Sequence, residues 1–174
     1  MHSISNLPTL LTLTIFTTLA STSPITLPST SPHIRAGGPI GKPVPSNCTV
    51  SSPLPTTNDT ATNSTASYKP TAARLNTTLY EYYLPPSTAT YQNSTTLFTN
   101  CLEQCYGYGY TGDCKAAYLA YDVPQPPLYG APGGNPSIAC LMWAKPLTSG
   151  DFEEMAGTGN WTGAVVGDIS CPSA

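Results

Sequence analysis

Three of the chain's six cysteines fall in one stretch, CLEQCYGYGYTGDC (101–114). Thiols so placed can hold a metal, cycle between redox states or pin a fold. Four thiolates suffice for a zinc site, but the only histidines are His2 and His33. A redox pair favours a two-residue spacing and a lowered thiol pKa, and nothing cationic adjoins Cys101 or Cys105. Histidine scarcity also removes Ser-His-Asp and Cys-His catalysis from the folded region. Carboxylates are more plentiful. Glu103, Asp113, Asp122, Asp151, Glu153, Glu154 and Asp168 could supply the two acids of a glycosidase. In SGDFEEM, however, Asp151, Glu153 and Glu154 read as the solvated start of a short helix, where acids suit the dipole. The remaining candidates are aromatic: Tyr106, Tyr108 and Tyr110 alternate with glycine, and Tyr129, Trp143 and Trp161 follow.

The compartment selects among these options. Residues 9–20 form an uncharged, largely apolar and Thr-rich run, too short to span a bilayer and followed by small residues. We expect a secretory signal peptide over 1–20, cleaved after Ala20. An even number of cysteines in an oxidising compartment implies disulfides rather than metal or catalytic thiols. Asn47, Asn58, Asn63, Asn76, Asn93 and Asn160 each begin an Asn-x-Thr sequon and are expected glycosylation sites. No apolar tail follows Cys171, so no membrane attachment is expected once the leader is removed. Six basic and nine acidic residues in the chain give no clustered basic surface, which excludes electrostatic nucleic-acid binding.

Composition divides the remainder. Residues 21–74 are rich in Ser, Thr and Pro without a sustained period of 2 or 3.6. Such a segment buries too little to offset the entropy of ordering, and is expected to be a disordered, glycosylated stalk. Residues 75–174 carry the folded domain. Its one good helix is NSTTLFTNCLEQC: Ser94 or Thr95 can cap it, and Leu97, Phe98, Cys101, Leu102 and Cys105 share a face. Gly107 and Gly109 stop it. Strands are expected at 77–84, 115–123, 138–145 and 163–171. PQPPLYGAPGGNP between two of them is a loop.

Cys101 and Cys105 stand one helical turn apart and point the same way, so each reaches into what the helix covers rather than to the other. Cys114 starts one strand and Cys140 lies within another, which staples the helix to a sheet. The phrases CLEQCYGYG, DCKAAYLAY and ACLMW, with terminal Cys48 and Cys171, resemble the PAN/apple module and are similar to uncharacterised cysteine-rich secreted proteins of filamentous fungi. The resemblance implies an α+β fold: a small antiparallel sheet, disulfide-stapled, with one packed helix. It also implies the pairs Cys48–Cys171, Cys101–Cys140 and Cys105–Cys114. The segment between Cys48 and Cys101 is longer than in that family.

Recognition is the function these features favour. Tyr106, Tyr108 and Tyr110 can line one side of an extended loop and, with Tyr129, Trp143 and Trp161, form an aromatic surface for stacking sugars or packing a peptide. We expect a non-catalytic module binding a cell-wall glycan or an extracellular protein, with no metal or cofactor. The alternatives are a structural or effector-like secreted protein without a small ligand, and a small carboxylate-dependent glycoside hydrolase.

Overall fold

The computed structural model of the chain describes residues 38–54, 67–110, 112–127, 132–155 and 159–172. All of them belong to the second of two units, His33–Ala174. The expected leader, His33, Asn58, Asn63 and Tyr129 lie outside the described residues.

A five-stranded antiparallel sheet forms the centre, in the order β1 (Thr49–Ser51), β7 (Thr162–Ser170), β4 (Ala116–Pro124), β5 (Pro136–Trp143), β3 (Tyr80–Leu84). Side chains alternate across a strand, and here both faces are covered. On one face lies helix α2 (Ser94–Tyr106), whose Leu97, Cys101, Leu102 and Cys105 bury against Ala117, Leu119, Cys140, Met142 and Ile169. On the other, Tyr118, Leu141, Trp143, Leu147, Trp161 and Val166 form a second core. Burial on both faces explains why AAYLA and IACLMW are nearly continuous apolar runs instead of alternating ones.

The second face is closed in part by residues expected to lie in the stalk. A two-stranded sheet pairs β2 (Tyr68–Pro70) with β6 (Phe152–Glu154), and a one-turn helix, α1 (Ala72–Leu75), follows β2. The Tyr118 hydroxyl donates to the Tyr68 carbonyl at 2.5 Å, and the Tyr118 ring stacks on Phe152 at 5.9 Å. Thr71 N–H donates to the Asp151 carbonyl at 2.9 Å. The folded region therefore begins well before Leu75. Residues 38–54 contribute too, through β1 and through Lys42, whose N–H donates to the Glu103 carbonyl at 2.9 Å. Strands of three residues have no readable period, so Ser, Thr and Pro content masked them.

Other expectations shift locally. The N-cap of α2 is Asn93 rather than Ser94 or Thr95: its Oδ1 accepts from the Thr96 N–H at 2.8 Å. Asp151, Glu153 and Glu154 do not begin an α-helix. Asp151 ends a short 3₁₀ turn (Ser149–Asp151) as its capping carboxylate, while Glu153 and Glu154 lie in β6, Glu153 pairing with Lys69 at 3.2 Å. Gly107 caps α2 as anticipated; a Cβ there would collide with the Ile40 carbonyl, so the N-terminal segment crosses at van der Waals distance.

Three disulfides fix the layers: Cys48–Cys171, Cys101–Cys140 and Cys105–Cys114, the same pairs that the resemblance implies. No cysteine is free. The architecture is a small α+β, disulfide-rich fold.

Candidate functional site

The six aromatic residues anticipated as one surface are divided by the sheet. Trp143 is 1 % exposed and Trp161 8 % exposed, and both pack edge-on or tilted around Tyr118 in the core opposite α2. Neither can stack on an external ring. Tyr106 and Tyr108 pack half-buried against the α2-side core, whereas Tyr110 projects into solvent, 85 % exposed. Nor is their segment an extended loop. Tyr106 ends the helix, Gly109 takes a left-handed φ of 58°, and the Asp113 carboxylate accepts from the Tyr110 N–H at 2.7 Å. The glycines make the tight turn that carries Cys105 to Cys114.

The turn nonetheless meets other tyrosines. Tyr108 lies 5.9 Å from Tyr80, and Tyr80 lies 6.3 Å from Tyr82, ring centre to ring centre and tilted by about 42° in each case. Strand alternation directs Tyr80, Tyr82 and Leu84 toward α2, while Tyr83 faces the opposite core. This row runs from the turn along the edge strand β3.

At its far end Tyr82 enters a half-open groove of about 210 Å³ between β3 and α2. Leu97, Asn100 and Gln104 form one wall because residues three, four and seven apart share a helical face. Thr88, from the 3₁₀ turn Pro86–Thr90, and Gln92 form the other wall, and Leu84 closes the strand side. The Asn100 amide donates to Gln92 Oε1 at 3.3 Å, orienting both carboxamides. Burial, then the neighbouring Tyr80, raises the Tyr82 phenol to about 12, so its proton is retained at neutral pH. Tyr91, 87 % exposed, immediately precedes Gln92.

Among the described residues, no charged side chain lines the groove. Five carboxylates are engaged elsewhere: Asp113 in the turn, Asp122 with Thr162, Asp151 with Arg74, Asp168 with the Leu147 N–H and Glu81 with the Tyr83 hydroxyl. With every cysteine sulfur in a disulfide, no thiolate remains for zinc or redox chemistry. Among the described residues, no cluster of three or more His, Cys, Asp or Glu can hold a metal ion.

Tyr80, Tyr82, Thr88, Gln92, Asn100 and Gln104 were not singled out by sequence. The signals were present, in the alternation of TTLYEYYL and in the helical spacing of Leu97, Asn100 and Gln104. They became a site only once β3 was placed beside α2. Comparison with protein-family models, curated proteins and solved structures finds no match to this chain.

Proposed function

We propose that the chain is a secreted glycoprotein whose apple-like domain is a non-catalytic binding module for a neutral cell-wall glycan. The observation that carries this reading is the uncharged lining of the groove. One aromatic ring, three carboxamides, a hydroxyl and two leucines provide ring contact and paired donors and acceptors without selecting a charge. The tyrosine row extends that surface along β3, suited to an extended ligand whose sugars pack on successive rings.

Secretion is supported by three disulfides, which persist in an oxidising compartment. Asn47, Asn76, Asn93 and Asn160 are all solvent-exposed, as glycan carriers must be. The non-catalytic reading is supported by the absence of any carboxylate from the groove lining.

The test is retention of the secreted protein on insoluble chitin, β-glucan, cellulose and mannan, with reducing sugar assayed in the supernatant. Retention without sugar release, lost in Tyr82→Ala, is the expected result. Retention unchanged in that variant would remove the groove from the reading, and sugar release would overturn the non-catalytic assignment.

A further inference from the structure

We infer that the glycan carried by Asn93 is the groove's own intramolecular occupant and regulates access to it. This rests on the glycan-binding reading above and adds a control to the same site.

The placement follows from the helix. Positions 93, 97, 100 and 104 are spaced by four, three and four residues and form one stripe along α2. Leu97, Asn100 and Gln104 of that stripe line the groove, so Asn93 stands at its N-terminal end, about 6 Å along the axis from Leu97. Gln92, its neighbour in the chain, also lines the groove. Asn93 itself is exposed. The other described sequons lie elsewhere: Asn47 beside Cys48, Asn76 at the end of α1 and Asn160 beside the buried Trp161.

Glycosylation is compatible with the cap. Attachment forms a bond from Nδ2 to the anomeric carbon of an oligosaccharide; Nδ2 loses one proton and the pyrophosphate of the lipid-linked donor leaves. The carbonyl Oδ1 is untouched and continues to accept from the Thr96 N–H, now 2.8 Å away. That bond fixes the carboxamide, so the first sugar leaves the helix in a defined direction. The first sugar of such a glycan is an N-acetylhexosamine, and its acetamido group matches this lining: the methyl suits Leu84 and Leu97, the amide suits Gln92 and Asn100. At about 210 Å³ the groove is smaller than the pockets of about 300 Å³ and upward that enclose drug-sized ligands, and suits a single sugar ring.

The test has two readouts on the secreted full chain. The first is digestion with an endoglycosidase that cuts between the two core N-acetylhexosamines, followed site by site by mass spectrometry. Asn93 should be cut at least tenfold more slowly in the native wild type than in a folded Asn100→Ala/Gln104→Ala variant, with the denatured protein setting the unprotected rate. An unoccupied Asn93, or equal native rates in the two proteins, overturns the inference. The second readout is Thr95→Ala, which destroys the sequon and keeps the Asn93 cap. Its affinity for soluble chitin oligomers should exceed that of the glycosylated wild type by about tenfold at unchanged melting temperature. Equal binding by both forms would overturn the regulation and leave the binding module standing. Protection of Asn93 with no oligomer binding by either form would establish the docked glycan and remove the external-ligand reading.

Discussion

The Trp143 indole N–H donates to the backbone carbonyl of Arg74 at 2.9 Å, joining β5, which pairs with the central strand β4, to a segment whose composition resembles a stalk. A few bonds away, the Arg74 guanidinium holds the Asp151 carboxylate at 2.6 and 2.9 Å. One short segment thus satisfies a buried donor and fastens the 3₁₀ turn that leads into β6. Residues 68–75 of this composition cover the second core rather than serving only as a spacer.

Arg74→Ala should destabilise the domain by about 2 kcal/mol, the scale of a charge-assisted hydrogen bond. Burial pushes Asp151 upward, but bonds from Arg74 and Thr148 outweigh it and hold the carboxyl below its ordinary value. A carboxylate with a depressed folded pKa contributes stability above its unfolded pKa of about 3.9, and that contribution is lost as pH falls through the folded value. The gap in melting temperature between wild type and Arg74→Ala should therefore be full at neutral pH and narrow in acid. A gap independent of pH would mean that the ion pair is not its source.

Asp168 should behave in the opposite sense. Burial, and secondarily the charge of Asp151, raises its carboxyl, partly offset by the bond from the Leu147 N–H. A raised acid contributes stability below its unfolded pKa and loses it as pH rises through the folded value. Asp168→Asn keeps an oxygen acceptor for Leu147 and removes the charge. The variant should melt higher than wild type at neutral pH, and the two curves should converge in acid, where the wild-type carboxyl is protonated. A variant that melts lower throughout would show that the Leu147 bond needs the charge.

The two tryptophans and Tyr82 separate fold from site. Trp143→Ala removes a side chain 1 % exposed and should cost about 3–5 kcal/mol, mainly through the cavity it leaves. Because both tryptophans lie in the core opposite the groove, ligand should leave their fluorescence unchanged. Tyr82→Ala should lose glycan retention while its Trp emission stays native. A saturable Trp signal on ligand addition would place the site on the other face.

Legibility followed the length of each pattern. The four longer strands and α2 were readable because strands of five to nine residues and a thirteen-residue helix carry a period or an unbroken apolar string. The three-residue β1, β2 and β6 have neither, and their pairing is imposed by the chain around them. Trp143 was not separable from a surface residue because an aromatic residue in a strand looks the same whether its face meets water or a second layer, and part of that layer came from the unreadable segment. Trp161, just before β7, turns into the same core. The groove was hidden for the complementary reason. Asn, Gln and Thr carry no individual signature, and only the approach of β3 to α2 brings them together.

Close approach to α2 also makes Gly167 a sensitive position. A Cβ there would stand 2.8 Å from both Leu102 Cδ2 and Val50 Cγ1 and 3.0 Å from Phe98 Cζ. Three side chains from the helix and β1 converge on the bare backbone of β7, so Gly167→Ala must displace those side chains, or the helix or strand that carries them. The cost should be about 1–3 kcal/mol, typical of overpacking. Cys48 and Cys171 bracket β1 and the end of β7, closing a loop of 123 residues. Removing that bond through Cys48→Ala/Cys171→Ala should cost about 4.7 kcal/mol in the chain-entropy account of a hundred-residue loop. The two lesions meet at β1, and their combination discriminates the cause. If Gly167→Ala acts by displacing β1, it should cost less in the background that already lacks the disulfide, where β1 is free to move. If it acts by lifting α2, still held by Cys101–Cys140 and Cys105–Cys114, its cost should be undiminished there. Chemical denaturation of the four proteins, with amide exchange at Val50 and Leu102, distinguishes the two.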